Sequence, residues 1–141
     1  MPEHQIDLKA LLLEREDCDS GTVQQIRNAL AQGGTQYRTL RDVTEAIKKK
    51  LETATGAAAK RWHLKLGIGS FFLGYMPQAA EHLRQAEGTL ASFYLGRALA
   101  SRHDYDDALK AFEKAEKAGY TASQVQLQRA GIFRQKGDVA Q

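Results

Sequence analysis

The second half of the chain repeats itself. Leu66-Gly67 recurs as Leu95-Gly96, and the corner Gly74-x-Met76 recurs as His103-x-Tyr105. Ala79, Leu83 and Ala86 recur as Ala108, Phe112 and Ala115, every pair at an offset of 29 residues. From the second unit to the third the offset is 34, carrying Gly96 to Ala130, Leu99 to Phe133, His103 to Gly137 and Tyr105 to Val139. Such self-similarity limits the fold sharply. Each unit is one supersecondary element that cannot bury its apolar face alone, so neighbouring units must stack. The unit here reads as helix, corner, helix. Over residues 61–87, Leu66, Ser70 and Leu73 fall at helical spacing, and Leu64, Ile68, Phe71 or Phe72, and Tyr75 form a second stripe. A helix apolar on nearly every face is buried on both sides. Pro77 suits the first turn of the second helix, where its missing N–H has no partner to lose. The small residues at Gly67 and Gly96 let paired helices approach, and Leu83 and Phe112 fill the space between them.

This helix–corner–helix unit, with a Leu-Gly or small-residue site in its first helix and Ala-x3-aromatic in its second, resembles the tetratricopeptide repeat, whose period is 34. The resemblance covers roughly residues 59–141, as units 59–87, 88–120 and a truncated 121–141. The second unit is the best match. It departs from the family pattern at Ser92 (for the opening tryptophan), His103 (for the corner glycine) and Tyr120 (for the closing proline). In the first unit Trp62 sits one residue early, Ser70 stands for a tyrosine, and five residues are missing before the next unit. Residues 1–56 pair as helical hairpins and are read as a degenerate repeat or N-terminal cap, continuous with the repeats in one structural domain. The implied fold is all-α, a right-handed superhelix of antiparallel helix hairpins.

Along the chain, a first helix is expected over 6–16 with Ile6, Leu8, Leu11 and Leu12 inward. Thr22 and Gln25 match a capping box opening the next helix, which carries Val23, Ile26 and Leu30 and stops at Gly33-Gly34. A helix over 35–51 buries Tyr37, Leu40, Thr44, Ile47 and Leu51, and its Lys48-Lys49-Lys50 run reads as a solvated last turn complementing the helix dipole. Beyond the first unit, helices are expected over 90–101, 105–118 with Asp104 as cap, and 122–136. Their inward residues are Leu95, Ala98 and Leu99; Tyr105, Ala108, Leu109, Phe112 and Ala115; and Val125, Leu127, Ala130 and Phe133.

Composition excludes several classes. At 141 residues with 43% hydrophobic and 26% charged side chains, the chain can bury a core and is not of disordered type. No stretch approaches the roughly 18 apolar residues of a membrane span. One cysteine, Cys18, fits a reducing compartment, and the N-terminus lacks a secretory pattern, so a cytoplasmic protein is expected. The charge excess is uneven: residues 1–52 hold nine acidic and eight basic side chains, residues 53–141 eight and twelve.

No catalytic constellation is legible, and neither a cofactor nor a metal is expected. Gly67-Ile68-Gly69 lies inside an apolar helical pattern without a preceding strand, so it reads as helix packing. His4, His63, His82 and His103 are scattered without partners at ligand spacing. Cys18 lies between Asp17 and Asp19, which raise its pKa, opposite to what a nucleophile needs. Asp104, Asp106 and Asp107 belong to a helix start.

Two function classes follow. Resemblance to the repeat family implies a non-catalytic scaffold or adaptor that takes a peptide or partner helix in its concave groove, on the free face of each unit's first helix. That face comprises Arg61, Leu64, Lys65, Ile68 and Phe72, then Phe93, Tyr94, Arg97 and Ser101, then Leu127, Gln128, Gly131 and Arg134. The cationic points Lys65, Arg97 and Arg134 suit an acidic amphipathic segment. Leu64, Ile68 and Phe72 have an alternative reading, coverage by the N-terminal helices. The competing class is a basic helical repeat associated with nucleic acid, for which Phe71, Phe93 and Phe112 are poorly placed because they sit on packing stripes. The incomplete third unit leaves Val125, Leu127, Ile132 or Phe133 accessible, or buried against a second copy.

Overall fold

The structure is a computed structural model that describes residues 5–137, all helix and connections, with no strand among them. A π-helical segment, Ala10–Glu14, precedes seven α-helices: α1 (Ser20–Ala31), α2 (Gln36–Leu51), α3 (Gly56–Leu73), α4 (Met76–Arg84), α5 (Thr89–Ser101), α6 (Tyr105–Lys117) and α7 (Ala122–Lys136). The expected all-α class is what forms. Helices α3 and α4 pair as one hairpin and α5 and α6 as the next, with α4 also against α5 and α6 against α7. The first helices touch one another too, α3 meeting α5 and α5 meeting α7. One apolar core runs through all of them, from Leu8 to Ile132. Among the described residues, no helix is long and apolar enough to cross a membrane.

The small-to-large pairing read from the repeat sets the hairpin geometry. A Cβ added to Gly67 would lie 2.6 Å from the Leu83 side chain, and one added to Gly96 would lie 2.7 Å from the Phe112 ring. Gly69 serves the opposite side of α3, where a Cβ would come within 2.7 Å of Thr44 on α2. The glycine doublet therefore lets α3 approach two neighbours at once. Both hairpins turn through a left-handed residue, Gly74 in the first (φ 87°) and His103 in the second (φ 66°). The shorter first offset has a local cause as well. Helix α4 has 9 residues against 13 in α6, so Ala86 falls just beyond α4, half-buried, where Ala115 is still helical and buried.

Several expected details move. Helix α1 starts earlier than expected: Asp19, not Thr22, is its N-cap. The Asp19 carboxylate accepts from the Thr22 N–H (3.0 Å), and the Thr22 hydroxyl accepts from the Asp19 N–H (3.2 Å). On α2, Leu40, Thr44 and Ile47 are buried as expected and Leu51 is half-buried, but Gln36 and Val43 join the buried face and Tyr37 is 54% exposed. Gln36 wins that place because its side-chain amide donates to the Ile6 carbonyl (3.1 Å), tying the N-terminal segment down. Asp104 stands at the start of α6 without a side-chain capping bond, its carboxylate turned instead towards Arg102 at 3.9 Å. Leu95 is half-buried, while α5 buries Leu90, Ala91, Phe93, Tyr94, Ala98 and Leu99 on its remaining faces. Tyr75, placed on an apolar stripe, is 46% exposed at the corner.

Helix α7 shows the largest correction. Val125 and Ile132 are buried, whereas Leu127, Ala130 and Phe133 face outwards. Helix α7 touches α5 and α6 along one side, so one of its two apolar stripes is left uncovered. Gly137 closes α7 in the left-handed conformation, as its register with Gly74 and His103 predicts. His4 and Val139 lie outside the described residues.

Candidate interaction surface

The residues expected to line a binding groove divide into a covered set and an open set. Helix α1 contributes to the division, reaching α3 and α5 through one side chain. Its Arg27 Nη2 donates to the Tyr94 hydroxyl (3.0 Å), and its guanidinium carbon sits 5.7 Å from the centre of the Phe72 ring. Tyr94 is buried and packs edge-to-face on Phe71 and Phe93, with ring centres 5.2 and 5.3 Å away. Ile68 and Phe93 are buried and Phe72 is half-buried. These residues form part of the apolar core or pack against it, although Phe93 and Tyr94 also line a cavity of about 210 Å³ shared with Val23, Gln24 and Arg27 of α1. Of the three residues with the alternative reading, Phe72 lies beneath Arg27 of α1, Ile68 is buried, and Leu64 is half-buried.

Lys65 is also withdrawn. It is buried, its ammonium donates to the Arg15 carbonyl and lies 4.7 Å from the centre of the Trp62 ring. Burial lowers its pKa, partly opposed by the nearby Cys18. The Cys18 thiol is pushed up to about 12, chiefly by burial, with Asp19 a smaller contribution in the same direction. A thiol held protonated in this way is a packing group rather than a nucleophile. Arg61 stays at the surface, 3.8 Å from Glu16.

The open set lies between α5 and α7. A cleft of about 340 Å³ is bounded by Phe71, Arg97, Ser101, His103, Gln128 and Gln135, with Gly131 and Ile132 in its α7 wall. Arg97 is its distinctive side chain. The guanidinium stacks over Phe71 (5.0 Å to the ring centre) and Tyr94 (5.5 Å), and no carboxylate among the described residues lies within ion-pairing distance. Aromatic faces beneath a guanidinium hold its plane while leaving its N–H edge for a bidentate acceptor. Of the expected binding residues, the fold brings together Arg97, Ser101, Gln128 and Gly131. It places Arg134 outside the cleft, exposed on α7.

Sequence reasoning missed Arg27 and Phe71 as the groups that shape this surface. Arg27 and Tyr94 are 67 residues apart, beyond any repeat offset, and no periodic signal marks such a pair. A second polar pair sits elsewhere, between α3 and α4. His63 and His82 stack with their Nδ1 atoms 3.1 Å apart, and burial lowers both pKa values. Among the described residues no three His, Cys, Asp or Glu side chains converge as a metal site would require.

No family model matches the chain, and neither a curated protein nor a solved structure matches it.

Proposed function

We propose that the chain is a protein-interaction module of tetratricopeptide-like type, a non-catalytic scaffold or adaptor that takes an acidic segment of a partner in the cleft between α5 and α7. The observation that carries this reading is Arg97, a guanidinium pre-oriented on two aromatic rings, without a carboxylate partner among the described residues, at the edge of an open cleft. Ser101, Gln128 and Gln135 supply neutral donors and acceptors along the same walls, suited to a peptide backbone. Two hairpins at the 29-residue offset, with the same glycine-to-large contact in each, support the repeat reading. Phe71, Phe93 and Phe112 are buried, which favours a protein partner over single-stranded nucleic acid, whose bases need exposed rings to stack on.

The test is a pull-down with the intact protein, followed by titration of the captured partner's acidic segment. Arg97→Glu and Gln128→Ala should each weaken binding, the charge reversal by about tenfold or more. A specific partner that binds equally well to both variants places the working surface elsewhere.

A further inference from the structure

We propose that the cavity lined by α1, α5 and the α6–α7 connection binds a phosphate group, as the free ion or as a small phosphate monoester. It shares Arg97 with the α5–α7 cleft and no other lining residue, so it is a second site.

The cavity measures about 210 Å³. Two guanidiniums line it, Arg27 from α1 and Arg97 from α5, and neither has a carboxylate within ion-pairing distance among the described residues. None of the lining side chains is acidic. Asp19 stands next to the lining residue Ser20, but its carboxylate accepts from the Thr22 N–H and hydroxyl. Like charges gathered around one cavity without a counter-charge favour an anion there.

The donors are held in place. Arg27 Nη2 donates to the Tyr94 hydroxyl (3.0 Å), and the Arg97 guanidinium lies 5.5 Å from the centre of the Tyr94 ring, so one side chain positions both cations. Tyr94 is 3% exposed, and its hydroxyl, having accepted from Arg27, has no acceptor for its own proton among the described residues. A buried donor left open in this way is satisfied by a ligand oxygen. Tyr120 stacks on Phe93 with ring centres 4.1 Å apart. Its hydroxyl senses both cations: burial raises its pKa, Tyr94 adds to the rise, and Arg27 and Arg97 oppose it. Three helices also begin at the cavity. Ser20, Leu90 and Gln124 lie in the first turns of α1, α5 and α7, the ends at which helix dipoles favour negative charge.

Phosphate suits this donor set better than carboxylate. Two guanidinium forks and two phenol hydroxyls offer more donors than two coplanar oxygens accept, whereas a tetrahedral dianion meets both cations. The volume is below the range of about 300–1,000 Å³ for drug-sized ligands, so the group carrying the phosphate is small. Leu90 and Phe93 give it a buried apolar surface to lie on.

The test titrates the isotope-labelled intact protein with inorganic phosphate and, separately, with phenyl phosphate, at fixed ionic strength, following the Nε–H signals of Arg27 and Arg97 by NMR. Both signals should move saturably, with a Kd of about 1 mM or tighter. Equal affinity for the two probes assigns the free ion; a gain of about tenfold for phenyl phosphate assigns a monoester that uses the Leu90–Phe93 surface. Arg27→Gln should weaken binding by about tenfold or more, read on Arg97, and Arg27→Lys should restore only part of it, because an ammonium lacks the bidentate fork. Tyr120→Phe should weaken it by about threefold. Gln128→Ala, which alters only the α5–α7 cleft, should leave phosphate binding within about twofold. Phosphate-free thermal melts check that each variant keeps the fold. Three results overturn the proposal: shifts that grow linearly without saturating; saturable binding that ignores both Arg27→Gln and Tyr120→Phe; or binding lost in Gln128→Ala, which moves the anion to the cleft.

Discussion

The α5–α6 junction and the outer face of α7 use the same residue pattern and end in opposite states. Gly96 is covered by the Phe112 ring, and the equivalent Ala130 is exposed. Leu99 is buried, and the equivalent Phe133 keeps a third of its surface. The difference shows that a repeat signature specifies an affinity between two faces, while burial itself depends on whether the second face is present. A stripe of apolar residues is half of an interface.

The comparison is tested most severely by removing the large residue from each side. Phe112→Ala should cost about 3–5 kcal/mol, because the cavity opens where Gly96 cannot fill it. Phe133→Ala should cost less, about 1 kcal/mol, since a third of its surface is already in water. Comparable shifts in the denaturant midpoint for the two variants would dissolve the distinction. Adding volume gives the next largest contrast. Gly67→Leu and Gly96→Leu should each destabilise by about 1–3 kcal/mol through overpacking against Leu83 and Phe112. Ala130→Leu, with open space before it, should move the midpoint by no more than about 0.5 kcal/mol.

A pH experiment sharpens the contrast between the two closed hairpins. His63 and His82 lie in the α3–α4 interface, and their equivalents in the α5–α6 interface are Ser92 and Ala111. Burial lowers both imidazole pKa values from the ordinary 6.5, and His63 lowers that of His82 further. Glu81, facing the pair, favours the charged forms, and Lys48 disfavours the charged His82. With folded values below unfolded ones, the unfolded chain binds more protons as pH falls through 6.5, so stability is full above that value and declines on its acid side. Importing the second hairpin's residues, His63→Ser with His82→Ala, should flatten that decline. Melting temperatures with the same acid slope in both proteins would refute the assignment.

The smallest effect concerns the corners. His103 holds a left-handed φ that Gly74 adopts without strain, and its ring bonds the Tyr105 hydroxyl. His103→Gly should gain less than about 1 kcal/mol, the relief of strain being offset by the lost bond. Gly74→Ala should lose about 1 kcal/mol. A midpoint that falls for His103→Gly would mean that the His103–Tyr105 bond outweighs the backbone strain.

What the sequence determined by itself is local and periodic. Helix spans follow from apolar spacing, corners from Gly74, Pro77 and Gly137, and the pairing of Gly67 with Leu83 and of Gly96 with Phe112 from a repeat compared with itself. Each of these links residues within one hairpin, where a short connection leaves little choice of partner. The tertiary structure decided which face each stripe meets. Gln36 displaced Tyr37 because the hydrogen bond from its side-chain amide to the Ile6 carbonyl is available only once the N-terminal segment folds back. Lys65 left the expected groove because its ammonium donates to the Arg15 carbonyl just after the N-terminal π-helical segment, and Tyr94 because Arg27 of α1 reaches it across 67 residues. Arg97 stayed at the edge of the open cleft between α5 and α7. An amphipathic pattern records that a side chain prefers to be out of water; it carries no record of which distant element removes it.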